Sequence, residues 1–271
     1  MKTLSKIYMW LIFALLYAPI ILIVVFSFND AGSLNHFTTF SFKWYRELFR
    51  DSTALDALKN SLILAVSSSL LATVIGTLAA FGISRMRSRY VKELVKSVTN
   101  IPMMNPDIVT GVSMMLLFVA AMSVPFSPLK KLGFVSMLIA HTTFNIPYVM
   151  LSVLPRFQQL DKSLTEASLD LGCTPSKTFF RVELPIVMPG IISGLMLGFT
   201  LSLDDFVISH FVSSPDFQTL PLYVYNQTAH DVKFSMYALF ALMVAVILAL
   251  LIAVNFGVKE NKPKKKHREV N

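Results

Sequence analysis

Long apolar runs separated by short charged stretches set the pattern of this chain. Six runs are legible, at about Ile7 to Phe28, Ser61 to Ile83, Val98 to Val124, Gly133 to Leu154, Val187 to His210 and Phe234 to Val258. About 20 helical residues cross a hydrocarbon layer of roughly 30 Å, so each run predicts one membrane-spanning helix. The period-2 alternation of a barrel strand is absent, and in lipid every backbone amide must then be satisfied within its own helix. Composition agrees. Of 271 residues, 54% are hydrophobic and 15% charged, and the mean hydropathy of +0.62 is too high for one soluble domain.

Charge orients the spans. The net charge of +8 is gathered between the runs rather than spread over one face, which argues against a nucleic-acid partner. Basic residues are retained on the cytoplasmic side. The amino terminus, the segment Arg85 to Lys96, the segment Arg156 to Arg181 and the tail Lys259 to Arg268 hold seventeen Lys and Arg, against seven in the alternate segments. Both termini are therefore expected in the cytoplasm, with one membrane domain over 1–258 and a basic tail over 259–271. The first run follows Lys2 and Lys6 but is too long for a removable signal peptide and is read as a retained span. The single Cys173 excludes an intramolecular disulfide and a cysteine metal cage.

The inner loop, about 155–186, has a specific local chemistry. Ser163 and Glu166 have the spacing of a capping box that starts a helix. Gly172 supplies a left-handed stop, and Thr174 followed by Pro175 starts a second helix that Leu184 and Pro185 are expected to end. Pro189 is expected to delay the fifth span. By itself this is also what a well-made solvated loop looks like.

Ionisable residues at membrane depth are costly and are functional candidates by default. Asp107 lies about ten residues into the third run, near the midplane at ~1.5 Å per residue. Pro102 and Pro106 flank it, predicting a helix break of the kind that lines a path, with helix capping by Asp107 as the plainer alternative. Asp204 and Asp205 lie toward the end of the fifth run. Stepping back from Asp205 gives Ser202, Gly198, Gly194 and Gly190, a small-residue stripe suited to close helix packing; Asp204 aligns with Thr200, Leu197 and Ser193. Which of the two faces a path stays open. Carboxylates on a path favour a cationic substrate. Trp44 and Tyr45 beside Glu47 offer aromatic faces to an ammonium or a methylene chain, though interfacial anchoring is the commoner use. His141 and Asn145 are the polar group of the fourth run; His141 is read as an interhelical hydrogen bonder rather than a titrating relay, with no carboxylate in that span and no metal site.

Glu166, Ala167, Ser168, Gly172, Val182, Leu184 and Pro185 carry a resemblance to the EAA loop of ATP-binding-cassette import permeases, with every spacing kept. Ser168 replaces the second alanine and Val182 the isoleucine. The segments at Phe42 to Tyr45, Asn105 to Val109 and Leu201 to Pro215 extend that resemblance, collinear over nearly the whole chain, to the second permease subunit of bacterial spermidine/putrescine importers. The resemblance implies an all-α, type I importer permease fold with six transmembrane helices and a cytoplasmic coupling helix, in the bacterial inner membrane. It implies that Glu166, Ala167, Gly172, Leu184 and Pro185 couple to an ATPase, and that Asp107, Asp204, Asp205 and Trp44 line the polyamine path. The implied partners are an ATPase subunit pair, a paralogous permease, an extracytoplasmic polyamine-binding protein, lipid and polyamine.

No G-x-x-x-x-G-K-[ST] loop occurs in the chain, so ATP and magnesium are expected on the partner, and this subunit is not expected to be an enzyme or to hold a cofactor. The alternative is a self-contained proton- or sodium-coupled secondary transporter of cations with Asp107 as its coupling site. The lack of an evident internal repeat argues against it.

Overall fold

The computed structural model describes residues 2–31, 36–124, 129–228 and 233–257; the basic tail lies outside the described residues. The helices in chain order are α1 (Lys2–Phe26), α2 (Lys43–Leu48), α3 (Ser52–Arg85), α4 (Arg89–Met104), α5 (Asp107–Met122), α6 (Phe134–Gln158), α7 (Lys162–Asp170) and α8 (Pro175–Thr178). A π-helical segment (Phe179–Glu183) leads into α9 (Leu184–Asp204), followed by α10 (Val207–Val212), α11 (Leu220–Thr228) and α12 (Ser235–Gly257). Among the described residues, four helices are long and apolar enough to cross a membrane: Ser5–Phe26, α3, α6 and the continuous helix Pro175–Asp204. The bent pair α4 and α5 makes a fifth if it counts as one span, and α12 is a shorter apolar helix over Ser235–Ala249.

The chain divides into two units, one from the described residues of Met1–Asp51 and Asp231–Asn271, the other from Ser52–His230. In the first, α12 packs against α1 and α2. The outward side chains of α1 from Ile7 to Leu22 are largely exposed, as expected of a helix whose solvent is lipid.

In the second unit α3, α6 and α9 pack along one another as the core. The small-residue stripe expected on α9 makes this possible: Gly190, Gly194, Gly198 and Ser202 are all buried. A Cβ at Gly190 would stand 2.6 Å from the Arg156 Cγ and 2.9 Å from the Ser152 carbonyl oxygen, so α6 and α9 touch at backbone distance. Leu64, Met137, Ala140, Ile208 and Val212 close one end of this core, and Ala80, Val149, Val153, Phe157 and Val187 the other.

Four expectations need correction. The third run breaks as its prolines predict, but α4 and α5 meet at 101°, so depth cannot be counted along it as along one straight helix. The break falls at Asn105 and Pro106, where Pro106 cannot donate to the preceding turn, so the depth assigned to Asp107 from a straight helix has no basis. The fifth run does not reach His210: α9 stops at Asp204, Asp205 is extended, and α10 is a separate helix.

Conversely, Leu184 and Pro185 do not end the second loop helix, nor does Pro189 delay the span, since Pro175–Asp204 is one helix of 30 residues. The π-helical segment explains the continuity. The Leu184 amide bonds the Phe179 carbonyl five residues back, widening the helix one turn ahead of the proline ring. Finally, Asp161 rather than Ser163 caps α7, its carboxylate accepting from the Ser163 amide at 3.0 Å. A carboxylate placed just before the first turn is the stronger acceptor, and this bonding to Ser163 holds Asp161 below its usual pKa.

Candidate functional site

Asp107, Asp204 and Asp205 come from two breaks far apart in sequence, yet they line one cleft of about 270 Å³. Phe144 of α6 and Thr200 and Phe206 contribute to its wall. Asp107 enters as the first residue of α5, where the open amides of a helix start favour a negative charge. The N-cap position itself is held by Pro106, which has no side-chain acceptor, so Asp107 stands at the first helical position rather than at the cap.

The two adjacent aspartates separate cleanly. Asp204 is exposed at the last turn of α9. Asp205 is turned inward, its side chain only 9% exposed, and accepts from the amides of Ile208 at 3.2 Å and Ser209 at 2.8 Å, which fixes the start of α10. His141 stands behind it. The His141 Nε2 lies 3.4 Å from the Asp205 Oδ2 and 3.1 Å from the Ser209 hydroxyl, while Nδ1 bonds the Ser202 hydroxyl at 2.7 Å. Ser202 also shares a 2.9 Å hydrogen bond with Ser68 of α3. The interhelical role expected of His141 is thus what the structure shows, but the nearby carboxylate was not foreseen because it belongs to another helix. Among the described residues no cluster of His, Cys, Asp and Glu suits a metal ion.

His141 lies seven residues into α6 from Phe134, about 10 Å at 1.5 Å per residue, and Ser202 and Asp205 meet it there. A carboxylate trio lining one cleft attracts cations and repels anions, with Asp204 and Asp107 as the accessible pair.

Trp44 belongs to the first unit. Its indole N–H donates to the Asn29 carbonyl at 2.6 Å, its ring packs against Phe234 at a 33° tilt with centroids 5.4 Å apart, and the Lys43 ammonium sits 4.8 Å from its ring centroid. These contacts already engage the aromatic face that the sequence offered to a substrate. Tyr45 likewise bonds the Ser27 hydroxyl at 2.8 Å and packs on Phe28.

The loop between α6 and α9 has two faces. Glu166, Ala167 and Gly172 are exposed, as are the apolar side chains of Leu164, Leu169 and Leu171. Gly172 has φ +82°, the left-handed stop expected of it. Thr174 accepts from the Lys177 amide at 3.4 Å and caps α8, as its place before Pro175 predicts. The opposite face is a polar lock. Ser168, which departs from the motif, shares a 3.0 Å bond with Thr178, and Thr165 donates to the Glu183 carboxylate at 3.0 Å. Glu183 also pairs with Arg85 at the end of α3. Leu184 and Pro185 lie within the helix below this lock and present no separate loop surface.

Sequence reasoning passed over Glu183, Thr165 and Arg85. The one signal was the charge of Glu183 between Val182 and Leu184, and nothing local names its partner 98 positions away.

A helical membrane domain with a capped two-helix loop leading straight into a broken span is the architecture of ATP-binding-cassette importer permeases. A bacterial ABC transporter involved in the import of the acidic polysaccharide alginate shares this fold with a TM-score of 0.69 at 16% identity, over 95% of this chain and 98% of that one. The chain belongs to the family of binding-protein-dependent transport system inner membrane components, whose model matches residues 72–259. It is 39% identical over 87% of its length to the putrescine transport system permease protein PotI of Escherichia coli strain K12, covering 83% of that protein. It is 37% identical to the spermidine/putrescine transport system permease protein PotC of Haemophilus influenzae, over 94% of this chain and 96% of that one. It is accordingly a multi-pass inner-membrane permease.

Proposed function

We infer that this chain is a membrane-spanning subunit of an ATP-driven importer that carries polyamines into the cell. The observation that carries the reading is the convergence of Asp107, Asp204 and Asp205 on one cleft at the end of the helix that begins in the Glu166 loop. A polyamine presents ammonium groups on an apolar chain, and the cleft offers carboxylates beside the rings of Phe144 and Phe206. The polyamine permeases among its relatives support the same substrate class.

In this reading the exposed face of α7 docks on a separate ATPase that binds ATP and magnesium. A companion permease completes the path, and a binding protein delivers substrate from outside. Both termini face the cytoplasm, which the basic-residue count favours. The rod Pro175–Asp204 spans about 45 Å at 1.5 Å per residue and connects loop movement directly to the Asp204 end of the cleft. Asp204 and Asp107 meet the passing ammonium, Asp205 keeps the break in shape, and Trp44 orders its own segment. The subunit itself does no chemistry on the substrate.

The test is uptake of labelled putrescine and spermidine by right-side-out vesicles loaded with ATP and holding the chain with its ATPase and companion permease. ATP-dependent accumulation that is absent for an anionic solute supports the reading. Uptake by the chain alone, indifferent to ATP depletion, would replace it with a secondary transporter.

A further inference from the structure

Glu183 is a carboxylate 1% exposed to solvent, at the junction between the loop and the fifth span, and the substrate cleft does not use it. One of its oxygens accepts from two elements at once: the Thr165 hydroxyl of α7 and the Arg85 guanidinium at the end of α3. Burying such a charge is costly, and the cost is offset only while a charged partner and a donor hold it. Its surroundings are otherwise arranged to hold Arg85 in place. The guanidinium lies 5.4 Å from the Phe81 ring centroid, and Phe81 in turn packs on Phe157 of α6 and on Phe179, at centroid distances of 5.7 and 4.6 Å.

The clamp bridges a gap. A cavity of about 550 Å³, lined by Arg85, Lys92, Lys162, Glu166 and Glu183 among others, separates the loop from the end of α3. α7 packs directly on α8 and the π-helical segment, whereas its polar link to α3 runs through Thr165 and Glu183 to Arg85. At its other end α3 carries Ser68, bonded to Ser202 beside His141 and Asp205. Ser68 and Arg85 are seventeen residues apart, about 25 Å along one helix. The loop therefore has two routes to the cleft: the covalent one through α9, and one through α3 that depends on Glu183.

We propose that Glu183 is a positioning residue for transport, which locks α7 to α3 so that displacement of the loop moves α3 and α9 as one body. This rests on the reading that the loop receives its displacement from an ATPase. Residues acting only on the helix they occupy do not need a partner on α3; Glu183 has one, together with a partner on the face opposite Glu166. Severing either link removes the direct tie of the loop to the end of α3 and leaves only the packing of α9 against α3 to carry the movement, so ATP is then hydrolysed with less substrate moved.

The experiment uses the full complex in proteoliposomes and compares Glu183→Gln, Arg85→Gln, their double variant and Thr165→Val. The last is nearly isosteric and keeps the buried ion pair, so it isolates the link to α7 without endangering folding. The readout is substrate moved per ATP hydrolysed, at measured ATPase retention and membrane abundance. The expected result is a fall in that ratio of about tenfold, typical of coupling between sites, with retention unchanged and the double variant no worse than the worse single one. A ratio equal to wild type in Thr165→Val and Glu183→Gln overturns the proposal, as does a loss that merely follows lowered abundance. A wild-type chain that retains no ATPase takes down the docking reading first, and this proposal with it.

Discussion

The His141 Nε2 lies 3.4 Å from the Asp205 Oδ2, and this one approach joins the middle of α6 to the break between α9 and α10. It decides how the neighbouring aspartates differ. Asp205 is held by His141 and by two amides of α10, leaving Asp204 as the carboxylate free to meet a substrate.

Asp204→Asn and Asp107→Asn are expected to lower polyamine uptake by about tenfold, the effect of losing roughly 1.4 kcal/mol of attraction, at unchanged abundance in the membrane. Labelled-putrescine uptake normalised to immunoblotted protein checks this. Losses in abundance that match the losses in uptake would sink the role in substrate passage.

Asp205→Ala is expected to behave differently. It strips the start of α10 of its acceptor and leaves His141 facing an empty position, so thermal stability in detergent and uptake should fall together. Asp205→Asn, which keeps one acceptor oxygen, should recover most of the stability.

Glu166→Ala is expected to release the ATPase from the complex without changing insertion, because Glu166 is exposed and has no part in the Thr165 and Ser168 lock. Affinity purification through the permease, followed by quantifying the ATPase, reads the outcome directly.

Gly190→Val should destabilise the second unit by about 1–3 kcal/mol, since its Cβ would meet Arg156 and Ser152 and push α6 from α9. Gly82→Ala is the control. Nothing lies within 4 Å of a Cβ there, so removing helix glycine entropy should stabilise by about 0.4–1 kcal/mol. Melting curves of the two variants in one detergent make the comparison.

The exposed pair Lys131 and Asp216, 2.9 Å apart, lowers the pKa of Asp216 and raises that of Lys131. Its contribution is present above the ordinary aspartate value of about 4 and is lost as pH falls through the depressed folded value. It fades again as pH rises through the raised lysine value. Lys131→Gln and wild type should therefore melt alike in acid and differ, slightly, near neutrality.

Local chemistry made much of the loop legible. Gly172 and the Thr174–Pro175 start act through their own backbone and appear as read. Pro106 breaks its helix as read, but by 101°, an angle set by what α5 and α10 pack against and not by the proline. The capping box was misplaced because Asp161 takes the Ser163 amide that Glu166 was expected to bond, and spacing alone does not rank two acceptors. Pro185 was taken as a stop because the π-helical segment that accommodates it leaves no sign in the residue pattern.

The sequence by itself determined that this chain lives in lipid, where its apolar runs fall, where a loop helix starts, and which acids interrupt those runs. All of these are properties of one stretch of backbone and its solvent. Only the tertiary structure decided that Asp107 joins Asp204 and Asp205, that Asp205 rather than Asp204 turns inward, and that Glu183 ties α7 to α3. Those outcomes depend on His141 and Arg85, partners brought up by other helices, and a contact across 98 positions is fixed by packing rather than by period.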